Sequence, residues 1–211
     1  VTGVQTCALP ISEPTSCNIY RGHRGRMEIK VVTHGISCNG SSPAREVNAI
    51  YKMAPILNEL KELNEILPCD DFLGRGTLAV SEIFFTSPSR CAVADSCIIS
   101  IDRRLTGKET YSYAIEQIKA LPSIKNMKAE VSIYDYEKAS YKGVIYPTAV
   151  YFPAWVLDVD NPVCETLVEC YEALFNEEPL IDKWIFSTNG ASIMGRYEIP
   201  CKIGRASCRE R

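Results

Sequence analysis

The sequence predicts an α/β protein in which an antiparallel βαββαβ unit is inserted into a second α/β domain. Between residues 26 and 139, stretches that alternate apolar and polar residues are separated by stretches with apolar residues at helical spacing, in the order β-α-β-β-α-β. After about Ser140 the composition changes, because aromatic residues and prolines crowd the segment VIYPTAVYFPAWVLDVDNP. The flanking segments, residues 12–25 and 140–202, are therefore interpreted as one domain that the unit interrupts.

The inserted unit can be followed element by element. Residues 27–33 (MEIKVVT) predict a strand, and apolar residues recur at helical spacing from Ala44 to Leu63. Pro55 lies inside that helix and is expected to kink it, because proline donates no backbone hydrogen bond. Further strands are predicted at 76–86, 97–104 and 129–136, and a second helix at about 109–121. This order is the ferredoxin-like arrangement, a four-stranded antiparallel sheet with two helices on one face.

The segment from residue 140 onward carries weaker signals. Asn161 and Pro162 form an N-cap and first-turn pair, which predicts that a helix begins there. A short strand is predicted at about 180–186, and the loop STNGAS follows it. This half-domain is expected to leave strand edges and apolar faces exposed, because strands that it should pair with are missing from the sequence.

Both ends of the chain look foreign to the fold. Residues 1–11 (VTGVQTCALPI) and 203–211 (IGRASCRER) match, when back-translated, one reading frame of the adapters used in short-read DNA sequencing. They are interpreted as artefacts and excluded from the fold prediction. The genuine protein is then expected to be the middle of a longer one.

Composition excludes several classes of function. The formal net charge is −3, whereas nucleic-acid binding needs clustered positive charge, and no apolar run approaches the length of a membrane span. The ten cysteines include no C-x-x-C pair, and only His23 and His34 could join them in a metal site. A cytoplasmic protein with reduced thiols is the expectation.

Several strings resemble one family over residues 12–202: EPTSCNIYRGHRGRMEIKVV, NAIYKMAPIL, FFTSPSRCAVADSC, SIDRRLT and STNGASIMGRYEIPC. The sequence is similar to the co-catalytic zinc hydrolases that include aminoacylase, acetylornithine deacetylase, succinyl-diaminopimelate desuccinylase and the glutamate-releasing carboxypeptidase. Within them it is closest to a bacterial branch described as selenium-metabolism-linked hydrolases. The resemblance implies a two-zinc peptidase-like catalytic domain interrupted by a ferredoxin-like lid, residues 26–139, through which two copies form a homodimer.

The resemblance also implies a metal ligand. Glu13, in the string E-P-T, matches a glutamate that binds one zinc, although a lone glutamate before proline is commonly a solvated loop acid. The family's remaining zinc ligands and its general-base glutamate would lie outside this sequence. One glutamate cannot hold two zinc ions, so the polypeptide as written is expected to be inactive.

Four further positions are implied to contact the substrate. Arg24 matches an arginine at the start of the lid whose planar guanidinium can bind a carboxylate with two parallel hydrogen bonds. Asn189, Gly190 and Arg196 match a loop and helix start that contact the carboxylate end of the substrate, where free backbone N–H groups favour an anion. The alternative for each arginine is an ordinary hinge or helix-surface charge.

The loop and turn of the lid carry two more candidates. Asn39 stands where the family has a histidine that one subunit delivers to its partner's active site, to stabilise the developing oxyanion. Asparagine can donate a hydrogen bond there but lacks the charge of an imidazolium, so a sequencing error and a protein of low activity both remain open. Arg90 is a candidate for an acidic substrate group, with a solvated turn residue as the alternative. Cys91 has no histidine base assigned to it, His34 does not match the histidine position, and His23 is interpreted as a hinge or surface residue.

Two functions are therefore carried forward. In the first, the complete protein is a zinc metallohydrolase that cleaves a C–N amide bond next to a carboxylate of a small-molecule or peptide-like substrate. In the second, the ferredoxin-like unit is a non-catalytic dimerisation or small-molecule-binding module.

Overall fold

The computed structural model of the protein describes residues 9–41, 47–107 and 109–205. The strands are, in chain order, β1 (Leu9–Pro14), β2 (Ile19–His23), β3 (Gly25–His34), β4 (Cys69–Asp70), β5 (Gly74–Arg75), β6 (Thr77–Thr86), β7 (Ser96–Leu105), β8 (Glu130–Ile133), β9 (Asp135–Tyr136), β10 (Thr148–Ala149), β11 (Tyr151–Phe152), β12 (Trp155–Val156), β13 (Ile181–Trp184) and β14 (Cys201–Arg205). The helices are α1 (Ala49–Glu65), α2 (Tyr111–Lys119), α3 (Pro122–Met127), α4 (Pro162–Phe175) and α5 (Gly190–Tyr197).

The lid sheet has the predicted ferredoxin-like order. β3 lies between β7 and β8, and β6 pairs with the other side of β7, with every pair antiparallel. The pairing of β3 with β7 runs without a break from Gly25 opposite Leu105 to His34 opposite Ser96. The alternation seen in the sequence follows from this arrangement, because Met27, Ile29 and Val31 point to the buried face.

The lid helices cover one face of that sheet and close its core. Asn48 caps α1, since its side-chain oxygen accepts hydrogen bonds from the backbone N–H groups of Ile50 (2.9 Å) and Tyr51 (3.4 Å). The helix therefore begins at Ala49; the earlier start predicted at Ala44 lies outside the described residues. It continues through Pro55 to Glu65. The core contains these nineteen buried residues of the described chain: Met27, Ile29, Val31, Ala49, Met53, Ile56, Leu60, Leu63, Leu67, Leu78, Ala94, Cys97, Ile99, Ile101, Leu105, Ala114, Ile115, Ile118 and Ile124.

Two details of the lid differ from the prediction. The helix expected at 109–121 ends at Lys119 and is followed by the separate short helix α3, whose first residue, Pro122, cannot continue α2. The segment between α1 and β6 forms a small hairpin of β4 and β5 that was not predicted. Neither feature has a periodic apolar pattern long enough to mark it in the sequence.

Strands from the segments that flank the lid form a second sheet. β2 pairs with β12, β13 and β14, and β14 pairs in parallel with β1. The sheet therefore joins residues 9–23 to strands that lie between residues 155 and 205. Its buried cluster is small and contains Ile11, Trp155, Leu157, Cys164, Cys201 and Ile203.

The predicted terminal boundaries fall inside this sheet. Ile11 and Ile203 belong to the stretches interpreted as foreign, and both are buried in the second core. The origin of residues 1–11 and 203–211 stays a prediction, because packing does not report on the source of the coding DNA. Residues 1–8 and 206–211 lie outside the described part of the chain.

The lid and the second sheet touch through the β4–β5 hairpin and through β11. The guanidinium carbon of Arg21, on β2, lies 3.8 Å from the centre of the Phe72 ring at the hairpin turn. β11 pairs with the start of β3, opposite Arg26 and Met27. Within the described residues, none of the helices combines the length and apolarity needed to cross a bilayer.

Candidate functional site

The hinge between β2 and β3 holds the first candidate residue. Arg24 lies between the two strands and donates a hydrogen bond from Nη1 to the backbone carbonyl of Arg75 at 2.9 Å. Its side chain therefore ties the hinge to the β4–β5 hairpin with one of its N–H groups. The remaining N–H groups of the guanidinium are the ones available to a carboxylate.

Helix α5 and the residue before it hold three more candidate residues. Asn189 precedes the helix and makes no side-chain cap, and Gly190 is buried against Trp155. A Cβ atom on Gly190 would lie 2.6 Å from Cζ2 of Trp155, so only glycine fits there. Arg196, in the last turn of α5, donates from Nη2 to the backbone carbonyl of Tyr151 at 2.6 Å, which ties α5 to β11.

The backbone at the start of α5 is less open than the sequence suggested. The N–H of Gly190 donates to Oγ1 of Thr188 (3.1 Å), and the N–H of Ala191 donates to the Thr188 carbonyl (3.1 Å). The next N–H, of Ser192, donates to the Asn189 carbonyl at 3.0 Å. The expectation of free N–H groups at this helix start is therefore wrong in this conformation, because the preceding turn uses them. The substrate contacts assigned to Asn189, Gly190 and Arg196 stay predictions.

His23 lies beside this loop and is fully buried, which excludes the surface interpretation. Its Nδ1 lies 2.8 Å from the Arg24 carbonyl, and its Nε2 lies 3.1 Å from the backbone nitrogen of Thr188. The ring also packs edge to face with Trp155, with centroids 5.3 Å apart. Burial lowers the pKa of His23 below its ordinary value of 6.5, opposed by the backbone hydrogen bonds.

At the lid tip, the loop after β3 that contains Asn39 pairs with the turn between β6 and β7 that contains Arg90. Asn39 forms an isolated bridge with Ala92, and the N–H of Gly40 donates to the carbonyl of Cys91 at 2.8 Å. The side-chain oxygen of Asn39 accepts from the N–H of Ser41 at 3.1 Å. The exposed Arg90 lines an open groove of about 740 Å³ next to this bridge. The groove is also lined by Asn48, Tyr51 and Phe85.

The residues that the structure describes do not form a zinc site. Glu13 lies near the end of β1 and is partly buried. Within the described ranges, no group of three or more His, Cys, Asp or Glu side chains could hold a metal ion. Glu13 thus fits one ligand of a site at most, since a catalytic zinc takes three protein ligands.

Two features near the hinge were missed in the sequence. The first is the hydrogen bond between His23 and Thr188, which lie 165 positions apart in the sequence. The second is the packing of Trp155 against Gly190, which the folded sheet brings together. A glycine after a polar loop was a weak signal for the second contact. The sequence has no signal for the first, because it joins strand β2 to the loop before α5 with no helix or hairpin connecting them locally.

Comparison with known proteins agrees with this architecture. Residues 21–129, just over half of the chain, match the M20 family model described as the peptidase dimerisation domain. The chain is 55% identical over 199 residues to the protein YgeY of Escherichia coli K12, a match that covers 94% of this chain and 49% of YgeY. The chain therefore spans about half the length of the curated relatives of this type that it matches.

Solved structures show the same fold. Aminopeptidase PepT from Bacillus cereus superposes with a TM-score of 0.69 at 13% identity, over 95% of this chain and 49% of PepT. A tripeptidase from Staphylococcus aureus superposes with a TM-score of 0.67 at 17% identity, over 90% of this chain and 46% of the tripeptidase. The match to the family model, which covers just over half of the chain, establishes that the chain belongs to the M20 peptidase family, whose dimerisation domain it contains.

Proposed function

We propose that the chain is part of a zinc-dependent hydrolase that cleaves a C–N amide bond beside a carboxylate in a small-molecule or peptide-like substrate. One observation supports the proposal most strongly. The chain contains not only the dimerisation domain but also the second sheet and α5, and these contact that domain at the hinge and at β11. Arg24 bonds the lid hairpin, and Arg196 bonds the carbonyl of β11. A free-standing binding module needs neither contact.

Zinc is part of this proposal only for the complete protein. Glu13 would supply one ligand, and the other ligands for two zinc ions per active site would lie outside this sequence. When bound, zinc would polarise the scissile carbonyl and activate a water molecule. The 211-residue chain is expected to be inactive because it cannot assemble that site.

Within this chain, the proposed task is to bind and orient the substrate. The remaining N–H groups of Arg24 and Arg196 are suited to a carboxylate, and Asn189 and Gly190 at the start of α5 are proposed to contact the same substrate. Asn39 would donate a side-chain hydrogen bond at the oxyanion, and Arg90 would meet an acidic group from the lid tip. Both belong to the lid, so the subunit whose active site they serve depends on the dimer.

The proposed homodimer forms through the edge of the lid. β6 is the outermost strand of its sheet, and its outer side pairs with no strand of the described residues. Val80, Ile83 and Phe85 lie on the helix side of that strand with 37%, 55% and 61% of their surface exposed, and Tyr51 of α1 is 73% exposed beside them. An unpaired edge with exposed apolar residues is suited to pairing with a second copy.

The test is metal analysis and hydrolysis with the complete protein. We expect about two zinc ions per subunit and hydrolysis of N-acyl amino acids or dipeptides that chelation abolishes and zinc restores. The Glu13→Gln variant should hold less zinc, and the 211-residue chain serves as the inactive control. A complete protein that holds no metal, or whose hydrolysis survives the removal of metal, would overturn the proposal.

The second candidate function is a dimerisation or small-molecule-binding module without catalysis. It is favoured by Asn39, which lacks the imidazolium charge, and by the open groove beside Arg90. Retention of a dimer together with the absence of metal from the complete protein would favour this candidate. The cytoplasmic location and the link to selenium metabolism stay predictions.

A further inference from the structure

We propose that His23, neutral and with its proton on Nδ1, is a positioning residue that fixes the 187–190 turn to the lid hinge. The proposal rests on the proposed function, because that turn carries Asn189 and Gly190 toward the substrate. His23 itself touches no substrate. It would act by setting where the turn and the hinge lie relative to each other.

The two hydrogen bonds of the ring determine its tautomer. The partner of Nε2 is the backbone N–H of Thr188, which can only donate, so Nε2 must accept and carry no proton. The partner of Nδ1 is the Arg24 carbonyl, which can only accept, so Nδ1 must carry the proton. One neutral imidazole thus satisfies a donor in the turn and an acceptor in the hinge. A doubly protonated ring would lose the bond to Thr188.

Packing holds the ring in place between these two partners. His23 is 0% exposed and lies in β2 opposite Trp155 of β12 and Trp184 of β13. The far side of this cluster is closed by Gly190, because a Cβ atom there would lie 2.6 Å from the Trp155 ring. The imidazole, the indole and Gly190 therefore form one packed unit at the start of α5.

Thr188, which donates the hydrogen bond to His23, also bonds the first residues of α5. The side chain of Thr188 accepts from the N–H of Gly190, and its carbonyl accepts from the N–H of Ala191. The residue that His23 anchors is thus the one that organises the first turn of α5. On the other side, Arg24 follows His23 directly and bonds the lid hairpin. Because the imidazole bonds both the hinge and the turn, a movement of the lid at the hinge would displace the turn as well.

No charged side chain bonds the ring among the described residues. Arg24 directs Nη1 to the Arg75 carbonyl, β12 contributes only Trp155 and Val156, and β13 carries the partly exposed Asp182 and Lys183 before Trp184. The neutral state therefore depends on the two main-chain partners and on burial. A side chain that offers one donor and one acceptor without a charge should be able to replace histidine.

The chain offers a direct spectroscopic test, because it contains only two histidines. In nitrogen-15 spectra of the 211-residue chain, His23 should show the pattern of a neutral ring protonated on Nδ1. A coupling across the hydrogen bond should connect its Nε2 to the backbone nitrogen of Thr188. The exposed His34, whose Nε2 lies 3.1 Å from a carboxylate oxygen of Glu130, supplies the second set of ring signals for comparison. An Nε2–H tautomer, or no coupling to Thr188 in a folded chain, would overturn the proposal.

Variants separate positioning from simple packing. The side-chain amide introduced by His23→Gln can accept from Thr188 and donate to Arg24, so the amide signals of 187–190 should stay near their wild-type positions. His23→Leu fills the buried position with an apolar side chain and loses both bonds, so those signals should move. His34→Gln is the matched control. Unchanged signals in His23→Leu would overturn the proposal. If His23→Leu does not fold, the tautomer and the behaviour of His23→Gln still decide it.

In the complete protein, loss of this anchor should weaken substrate binding more than turnover. We expect His23→Leu to raise KM by about tenfold, which corresponds to the loss of the one hydrogen bond that holds the turn, from Thr188, and His23→Gln to restore it. Equal KM values in wild type and His23→Leu would contradict the positioning role. If the complete protein hydrolyses nothing, the proposed function fails, while the spectra of the 211-residue chain still decide whether His23 anchors the turn.

Discussion

The lid and the second sheet both contain apolar side chains, but the lid buries far more of them. Nineteen buried residues form the core between the lid's sheet and helices, whereas the second core of the described chain contains six. On α4 only Cys164 is buried, while Leu174 and Phe175 are 77% and 49% exposed. The lid thus has a core of its own, whereas α4 beside the second sheet leaves apolar side chains exposed.

The largest expected effect is on the lid core. Leu60 is fully buried in it, so Leu60→Ala should lower the free energy of unfolding by about 2–5 kcal/mol. The matched control is Leu174→Ala on α4, whose exposed side chain should change it by about 0.5 kcal/mol or less. Urea unfolding of both variants measures the difference. Equal losses would show that α4 is packed as well as the lid.

The second prediction concerns the exposed edge of the lid. Phe85→Asp places a charge on the helix side of β6 and should weaken the proposed homodimer by about thirtyfold or more, the effect of losing a hot-spot side chain. Tyr141→Asp is the control, because Tyr141 is 94% exposed and lies outside this edge. Sedimentation equilibrium gives both dissociation constants. A dimer that tolerates Phe85→Asp would place the interface elsewhere.

The third prediction tests the small core. Gly190→Ala would drive a methyl group against the Trp155 ring and should destabilise the second sheet by about 1–3 kcal/mol. The lid should remain folded, because the atoms nearest to that methyl group belong to Trp155 and Ile11 of the second core. Tryptophan fluorescence during unfolding follows the second sheet, since neither tryptophan belongs to residues 26–139. Ser192→Ala, at an exposed position of the same helix, should leave the transition unchanged.

The smallest effect is the pH dependence of His23. Burial lowers its pKa in the folded state, so below its ordinary value of 6.5 the unfolded chain binds a proton that the folded chain does not. Its contribution to stability is therefore complete above pH 6.5 and is lost as the pH falls toward the lowered pKa. His23→Gln should remove this loss, while His34→Gln should retain it. Acid sensitivity that is identical in all three proteins would exclude His23 as its source.

The same contrast explains what the sequence could predict. The strands of the lid follow from alternation, because Met27, Ile29 and Val31 face a core that the lid itself supplies. The start of α4 follows from Asn161, whose side chain accepts from the N–H of Val163 at 3.0 Å. The β4–β5 hairpin escaped prediction because two-residue strands leave no periodic pattern.

The candidate site was less predictable than the fold. Arg24 and Arg196 were selected for a substrate carboxylate, and each also bonds a backbone carbonyl that only the folded chain brings near it. The role of His23 depends on Thr188, 165 positions away, and on the direction of a backbone N–H. Local patterns report burial and turns, but they do not report which main-chain group will meet a buried ring.

Hydrogen exchange of the 211-residue chain tests the contrast between the two regions most directly. The backbone amides of β3 and β7 should exchange only with global unfolding of the lid, because both strands lie inside its sheet. The amides of α4 and β13 should exchange through an opening of lower free energy that leaves the lid intact. We expect two such groups of exchange rates. A single rate of global exchange for all four elements would contradict it, because the second sheet would then be as self-sufficient as the lid.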